Sequence, residues 1–284
     1  MKRVVITGAD GFIGNALSNK LKDNNVDVIE VTLEKSLPKN LNNIDVFFHF
    51  AREGGYSKDS FKNTKLQIQN LTNDCDAVYS ALEVGAKRFI YPQTYNYLEI
   101  KEFISGNISN PRYTNIYSAS KTAAEVIGKT IAYNSNLDYI SGACSMMYGP
   151  GNYHADSFSS VLIRNLIHGD EVKCVAGENL YDMVFINDIV DAFIAIANHG
   201  KNLKTYYIGH RKLKTFKEIV LEIRDIINPE CKITFGAYPE APQIIDWSDV
   251  GLDDLYNDTG FECSSDLRES ILYTVNWVKS CNNN

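Results

Sequence analysis

Residues 4–14 read VVITGADGFIG, and this stretch decides the fold. Its apolar start, Val4–Ile6, predicts a short buried strand, and the residues after the turn have the apolar spacing of a helix. Glycines in such a turn permit a tight bend, close approach of a ligand to the backbone, and close packing of helix on strand. Unpaired N–H groups at the helix start favour anions. We expect Gly8, Gly11 and Gly14 to hold a dinucleotide pyrophosphate; the alternative is an ordinary glycine-rich turn.

Strands and helices alternate through the rest of the first half. Because the apolar runs have the composition of strands buried on both faces, they predict a parallel sheet built from βαβ units. The segment 33–44 is short for a strand and a helix, so we predict a loop there. Further strands are predicted at 26–31, 46–50, 88–91, 139–147 and 205–208, and helices at 66–82, 116–132, 159–167, 188–197 and 216–227.

Composition places the chain among ordinary globular proteins. It has 284 residues, of which 44% are hydrophobic and 22% charged. A net charge of -7 argues against a nucleic-acid partner, since phosphate recognition needs an excess of Lys and Arg. No apolar stretch approaches the roughly 20 residues that cross a bilayer. The six cysteines form neither a C-x-x-C pair nor metal-ligand spacing with His, so we expect reduced thiols, no metal site and a cytoplasmic location.

The end of the second strand bears on the choice of cofactor. A carboxylate there usually accepts hydrogen bonds from the ribose hydroxyls of NAD. Counting from Gly14, this position falls at Thr32, which is neutral. A missing acid tolerates the 2′-phosphate of NADP, although no Arg stands beside Thr32 to bind it. We therefore favour NADP over NAD and keep both open; Glu34 and Lys35, which follow, are alternatively a solvated loop pair.

Tyr117 and Lys121 are four residues apart, a spacing that places both side chains on one helix face. The pKa of a free tyrosine, about 10, is too high for proton transfer at neutral pH. A nearby ammonium favours the phenolate. Such a tyrosine exchanges a proton with a hydroxyl or carbonyl while hydride moves at carbon. With 17 tyrosines in the chain, a chance pair is the alternative.

With the glycine turn about a hundred residues before this pair, the chain resembles the extended short-chain dehydrogenase/reductase family. Within it, the chain is most similar to nucleotide-sugar epimerases, dehydratases and 4-ketosugar reductases. Four more segments carry the resemblance: Phe47–Ala51, Arg88–Tyr91 followed by Thr94, Tyr148–Pro150, and Phe185–Ile189. It implies an α/β, Rossmann-type doubly wound parallel sheet with a smaller C-terminal α+β substrate lobe. The implied dinucleotide-binding domain is 1–150, joined by 185–205, and the implied substrate lobe is 151–184 and 206–284.

The resemblance also implies a role for each site residue. Tyr117 is the general acid/base, Lys121 its electrostatic partner, and Thr94 a hydrogen-bonding group for the reacting sugar oxygen. Asn70 falls where the family has a cofactor-supporting Asn; the alternative is a helix-surface residue. The implied cofactor-binding set is Gly8, Gly11, Phe12, Ile13, Gly14, Thr32, Phe50, Ala51, Asn70, Tyr117 and Lys121. The implied partners are a nucleotide-sugar substrate and a second copy of the chain, which docks through two Rossmann-domain helices.

The chain departs from the family pattern at several positions. Dehydratases place Asp and Glu directly after the position of Thr94, whereas this chain has Tyr95 and Asn96, which disfavours a 4,6-dehydratase. Residues 52–55, beginning with Arg52 where a second Ala is common, either line the cofactor–substrate junction or form a solvated loop. Three features could bind a diphosphate or could be surface groups: Arg164, Tyr181–Asp182 and Arg211–Lys212.

Two function classes therefore remain. The first is NAD(P)-dependent hydride transfer at a carbon of a nucleotide-linked sugar, as an epimerase or as a 4-ketosugar reductase. The second is a non-catalytic NAD(P)-binding sensor or assembly protein. The retained Tyr117 and Lys121 favour catalysis.

Overall fold

The computed structural model describes residues 1–55, 57–107, 111–112, 114–152, 157–240 and 245–281, and a parallel six-stranded sheet lies at its centre. Its strands follow the order β2-β1-β3-β4-β5-β10, and each neighbouring pair is parallel. These six strands are β1 (Arg3–Thr7), β2 (Asp27–Val31), β3 (Val46–His49), β4 (Arg88–Thr94), β5 (Asp138–Cys144) and β10 (Thr205–Ile208). Four short strands outside this sheet lie between β5 and β10 in the chain: β6 (Met146–Tyr148), β7 (Val172–Lys173), β8 (Leu180–Tyr181) and β9 (Met183–Phe185).

Helices cover both faces of this sheet, because the strands present apolar side chains to both. In β1, Val4 and Ile6 belong to one buried cluster and Val5 to the other. The first cluster includes side chains of helices α1 (Phe12–Asp23) and α7 (Ile186–His199). The second cluster includes side chains of helices α3 (Thr64–Glu83) and α5 (Thr114–Asn134). This arrangement confirms the predicted doubly wound α/β fold. The helices are α1 (Phe12–Asp23), α2 (Lys58–Lys62), α3 (Thr64–Glu83), α4 (Tyr97–Ile104), α5 (Thr114–Asn134), α6 (Phe158–His168), α7 (Ile186–His199), α8 (Phe216–Ile227), α9 (Asp254–Thr259) and α10 (Leu267–Cys281).

Beyond the main sheet, α8 packs against α6 and α10, and β6 pairs with β9. Two further short pairs join β7 to β12 (Ile233–Thr234) and β8 to β11 (Lys214–Thr215). In α8, Thr215 and Glu218 cap the first turn reciprocally, which fixes where this amphipathic helix begins. In the described residues, no helix is both long and apolar enough to cross a bilayer.

The structure differs from the sequence expectations at three places. The strand predicted at 139–147 is divided, because after Cys144 the chain leaves the main sheet and Met146–Tyr148 pairs with β9 instead. The short helices α2, α4 and α9 were not predicted. The predicted lobe boundary between residues 205 and 206 falls inside β10, which is hydrogen-bonded to β5 in the main sheet. The predicted loop at 33–44 is present, since β2 leads to β3 without a helix.

The strand order places a crevice at one edge of the sheet. From β1 the chain passes to β2 on one side, and then to β3 on the other, so the order reverses between β1 and β3. In open α/β sheets, ligands bind beyond the carboxyl ends of the strands at such a reversal. The residues at these ends include Thr7, His49, Thr94 and Cys144.

Candidate active site

The glycine turn between β1 and α1 keeps the backbone open to a ligand. Gly8 has φ +69°, and a Cβ added there would lie 2.6 Å from the backbone nitrogen of Ala51. A Cβ on Gly14 would overlap the carbonyl oxygen of Gly8. The turn therefore requires glycine at both positions. Gly11 is the N-cap of α1 and the first turn has no acidic residue, so the N–H groups and dipole of this helix end fit a pyrophosphate.

A single cleft of about 430 Å³ joins this turn to the Tyr117 helix. The structure thus brings together the glycine turn, Phe50, Thr94, Tyr117 and Lys121, as the sequence predicted. Its described lining is Gly8, Gly11, Phe12, Ile13, Gly14, Phe50, Arg52, Gly55, Pro92, Gln93, Thr94, Tyr95, Asn96, Tyr117, Lys121, Cys144, Ser145, Met146, Met147, Asn152, Ser157, Phe158 and Tyr181.

Three predicted cofactor residues are outside this lining. Thr32 follows β2 directly, and its hydroxyl accepts hydrogen bonds from the N–H groups of Glu34 and Lys35. Ala51 lies against Gly8 and donates its N–H to the Thr7 hydroxyl. Asn70 is buried, with 1% of its surface exposed, which excludes the helix-surface alternative.

Asn70 acts on the loop that follows β3. Its side chain accepts a hydrogen bond from the N–H of Glu53 (3.0 Å) and donates one to the carbonyl of Glu53 (3.1 Å). This reciprocal pair fixes the backbone next to Arg52. Any support that Asn70 gives to a cofactor therefore passes through this loop.

Lys121 is buried beneath Tyr117 on α5. Its Nζ donates a hydrogen bond to the carbonyl of Pro92 (2.5 Å) and lies 4.5 Å from the centroid of the Tyr91 ring. Burial, followed by the charge of Arg52, lowers the pKa of Lys121 to about 7. Tyr117 is half-buried, and its ring centroid lies 4.9 Å from that of Phe61.

A pair of polar side chains supports Thr94. Gln93 accepts a hydrogen bond from the N–H of Thr94 (2.8 Å), and its amide nitrogen donates to Glu125 of α5 (2.7 Å). Although burial alone raises it, the pKa of Glu125 lies below its ordinary value because Lys129 and Gln93 stabilise the carboxylate. The sequence reasoning missed Gln93. The available signal was the period of two along β4, which places Gln93 on the same buried strand face as Phe89 and Tyr91.

Arg52 is the main residue that sequence reasoning left undecided. Its side chain is 12% exposed and lines the cleft, so the solvated-loop alternative is wrong for this residue. Its guanidinium donates to Asp74 (2.6 Å), to Gln67 (2.7 Å) and to the Ser120 hydroxyl (2.6 Å). The guanidinium carbon lies 5.1 Å from the centroid of the Tyr117 ring.

Asp74 connects Arg52 to the glycine turn. One oxygen is 3.2 Å from His49 Nε2, and His49 Nδ1 is 2.7 Å from the hydroxyl of Thr7. Tyr91 donates its hydroxyl to the other oxygen (2.8 Å). Burial by itself would raise the pKa of Asp74, but the His49 hydrogen bond and the charges of Lys121, His49 and Arg52 hold it below its ordinary value. Asp74 is therefore a buried carboxylate with several partners.

A sequence signal for this network did exist. Gln67, Asn70 and Asp74 follow an i, i+3, i+7 spacing on the buried face of α3. Polar residues rarely occupy such a face unless they are hydrogen-bonded. Their spacing alone predicts a buried polar cluster, although it does not identify Arg52 as the partner.

The lobe side of the cleft is aromatic. Tyr95 donates its hydroxyl to that of Tyr181 (3.0 Å), so the position where dehydratases place an acid is occupied by a phenol pair. Arg211 pairs instead with Asp253 and Glu262 and is outside the described lining. Arg164 lines a separate small pocket beside Trp277. Of the three diphosphate-binding candidates, only Tyr181 reaches the cleft.

The chain belongs to the NAD dependent epimerase/dehydratase family, which it matches over residues 4–209. This confirms the resemblance to extended short-chain dehydrogenases/reductases and places the chain among NAD(P)-dependent enzymes. It is 24% identical to CDP-abequose synthase of Salmonella typhimurium over 254 residues, which cover 80% of this chain and 81% of that protein.

Solved structures share the whole fold. MoeE5 in complex with UDP-glucose and NAD superimposes with a TM-score of 0.76 at 21% identity, covering 99% of both chains. RMD from Pseudomonas aeruginosa, complexed with NADPH, has a TM-score of 0.76 at 17% identity and covers 99% of this chain and 100% of its own. Both forms of the nicotinamide cofactor thus occur on this fold.

Proposed function

We propose that the protein transfers hydride between NAD(P) and a carbon of a nucleotide-linked sugar. The observation that carries this proposal is the single cleft that joins the glycine turn to Tyr117, Lys121 and Thr94. A nucleotide-sugar substrate is supported by the relatives, since one is named for a CDP-sugar and one solved neighbour holds UDP-glucose. A bound nicotinamide supplies or accepts the hydride.

The cofactor would be held mainly by backbone. Gly11, Phe12 and Ile13 line the cleft at the start of α1, where the N–H groups of Phe12 and Ile13 would meet the pyrophosphate, while Phe50 and Ala51 would pass beside it. Thr32 would adjoin the adenosine ribose at the end of β2, and Asn70 would act through the loop that it fixes. Tyr117 and Lys121 would face the nicotinamide ribose. The absence of a Cβ at Gly8 lets the turn pack against Phe50 and Ala51, and its absence at Gly14 lets α1 pack against the turn.

Tyr117 would exchange a proton with the sugar oxygen. In the reducing direction its hydroxyl donates a proton to the carbonyl oxygen, and in the oxidising direction its phenolate accepts one from the hydroxyl. Thr94 would donate a hydrogen bond to the same oxygen. Arg52 places positive charge beside the phenol, and Lys121 lies one helical turn further along α5. Gln93 and Glu125 keep Thr94 in place from beneath.

We place 4-ketosugar reduction first and epimerisation second. Neutral Thr32 supports NADP, the cofactor that a reductase consumes, and an NADPH-bound neighbour shares the fold. Tyr95 and Asn96 disfavour dehydration. Cofactor stoichiometry separates the two chemistries. A reductase consumes one NADPH per ketosugar, whereas an epimerase interconverts isomers with no net change in absorbance at 340 nm.

Replacement of Tyr117 tests catalysis itself. We expect Tyr117→Phe to lower turnover by about 10²-fold or more, because a positioned acid/base group contributes on that scale. NADPH binding, followed by fluorescence titration, should be retained. If turnover is unchanged, or if no nucleotide sugar co-purifies with or is turned over by the protein, the non-catalytic binding module becomes the better interpretation.

We further propose a cytoplasmic homodimer. The location is supported by the six cysteines, all of which are unpaired with one another. The dimer is supported by apolar side chains exposed on α3 and α5, among them Ile68, Val126 and Tyr133. Cell fractionation tests the first proposal, and the second is tested by the mass measurement described in the Discussion.

A further inference from the structure

Arg52 follows Ala51 in the loop after β3, lines the cleft and lies beside Tyr117. Its guanidinium carbon is 5.1 Å from the Tyr117 ring centroid, within the range at which a cation interacts with an aromatic ring. Only 12% of the side chain is exposed. A cation in this place acts on the phenol with little screening by solvent.

The guanidinium is held rigidly. Its two terminal nitrogens bind side chains of α3 and α5, namely Asp74, Gln67 and Ser120. Ser120 in turn donates its hydroxyl to the carbonyl of Tyr117 (2.8 Å). Arg52 is thus tied to the helix turn that carries Tyr117.

Stability alone does not account for this buried pair. Burying an Arg and an Asp costs solvation, and apolar replacements of such pairs are often neutral or stabilising. The pair of Arg52 and Asp74 stands against the ring of the proposed acid/base residue. Its placement therefore points to a role in the electrostatics of Tyr117.

A second cation is useful in this site because the charge of Lys121 is incomplete at neutral pH. With a pKa of about 7, its ammonium is only partly protonated at neutral pH before a ligand binds. An Arg guanidinium stays protonated at every accessible pH. The titratable and charged groups that face Lys121 are Glu125 on its own helix, Arg52 after β3, Asp74 on α3, Tyr91 on β4 and Cys144 on β5.

We propose that Arg52 is a positioning residue that holds a permanent positive charge beside Tyr117 and favours its phenolate form. The inference rests on the proposed function in taking Tyr117 as the acid/base group. An opposite charge at about 4–6 Å shifts an ionisation by about 1–3 pH units. We expect the lower end of this range, since Tyr117 is half-buried.

The ionisation of Tyr117 can be followed directly in the full chain without substrate. Protein labelled with tyrosine ¹³Cζ is titrated with base by NMR, and Tyr117→Phe identifies the Tyr117 signal. Arg52→Gln keeps an amide donor but removes the charge, and Arg52→Lys restores the charge. Arg88→Gln is the matched control, because Arg88 binds the carbonyls of Ala197 and Gly200 at the amino end of β4.

We expect Arg52→Gln to raise the midpoint of the Tyr117 titration by about one pH unit. Arg52→Lys should return it towards the wild-type value, and Arg88→Gln should leave it unchanged. Equal midpoints in wild type and Arg52→Gln would overturn the proposal. If Arg52→Gln does not fold, Arg52→Gln/Asp74→Asn removes the whole pair, and the midpoint should still rise, since it is Arg52 whose guanidinium lies against the Tyr117 ring.

The titration tests the role of Arg52 and the turnover test examines the role of Tyr117, so either proposal can be contradicted without the other. A shifted midpoint with full turnover in Tyr117→Phe would preserve the charge effect and remove the proposed chemistry. An unshifted midpoint with lost turnover in Tyr117→Phe would preserve the chemistry and remove the role of Arg52.

Discussion

At the scale of single residues, Lys121 loses nearly all contact with solvent when the chain folds. Burial, together with Arg52, lowers its pKa to about 7, whereas an unfolded lysine has a pKa of about 10.4. Between these values the unfolded chain binds more protons than the folded one. The free energy of unfolding therefore rises with pH across this window.

Lys121→Met should remove this dependence, because methionine fills similar space without ionising. We expect the unfolding free energy of the wild type, relative to the variant, to rise by up to about 1.4 kcal/mol per pH unit between about pH 7 and about pH 10. Urea denaturation of the ligand-free proteins at several pH values measures both slopes. Identical slopes would mean that Lys121 keeps an ordinary ionisation in the fold.

Thr32 is the residue that we expect to set cofactor preference. An Asp in its place can accept the same N–H groups of Glu34 and Lys35, so the turn should be retained. The added carboxylate would repel a 2′-phosphate and accept ribose hydroxyls. We expect Thr32→Asp to lower kcat/KM for NADPH relative to NADH by about 10- to 100-fold, on the scale of one charge-assisted hydrogen bond.

Thr32→Asn is the matched control, since it has the shape of Asp without the charge. Its ratio of kcat/KM values for NADPH and NADH should stay close to the wild-type ratio. A wild type that prefers NADH, or a Thr32→Asp variant with an unchanged ratio, would contradict the NADP proposal.

At the scale of elements, the junction of β1 and α1 depends on backbone contact. A Cβ at position 14 would overlap the carbonyl of Gly8, so Gly14→Ala must push α1 away from the turn. We expect a loss of about 1–3 kcal/mol in unfolding free energy. NADPH affinity should fall at least tenfold, because the N–H groups of α1 move with the helix. Chemical denaturation and fluorescence titration measure the two effects.

Gly85→Ala separates backbone strain from this displacement. Gly85 has φ +63° and open space around it, so alanine there costs about 1–2 kcal/mol in backbone conformation alone. Its NADPH affinity should stay at the wild-type value. If both variants lose affinity equally, general destabilisation is the cause and the close contact of Gly14 is not.

Elements with a strong local signal could be predicted from the sequence. The glycine turn and the helix of Tyr117 both carry their signal in neighbouring residues, and the structure has both. The divided strand after Cys144 could not be predicted in this way. Ser145 is the single residue between Cys144 and Met146, with no Gly or Pro at the break, and Met146–Tyr148 leaves the main sheet to pair with β9, 37 residues later.

In the candidate site, too, residues with a local sequence signal could be predicted, whereas residues joined by tertiary packing could not. The residues that line the cleft next to the glycine turn or on α5 were predicted from motifs. Arg52, Gln67 and Asp74 meet through tertiary packing of the loop after β3 against α3, which no local spacing reports. The i, i+3, i+7 polar spacing on α3 indicated that partners exist, but their identity depends on the fold.

At the scale of the whole molecule, α3 and α5 pack side by side and leave an apolar surface exposed. Tyr79 on α3 is 53% exposed, and Val126 and Tyr133 on α5 are 61% and 67% exposed. Exposed apolar patches of this kind mark interaction sites. In α5 this surface follows directly after Lys121, so a second copy docked here would pack against the helix that carries Tyr117.

We therefore expect the wild type to have twice the chain mass of 31.9 kDa in solution, and Val126→Glu to have the mass of one chain. A buried, unpaired carboxylate at the centre of the interface costs enough to prevent association. Leu272→Glu, on the exposed side of α10, is the matched control and should remain dimeric. Light scattering after size exclusion gives each mass. A wild type that is monomeric at micromolar concentration would contradict the proposed homodimer.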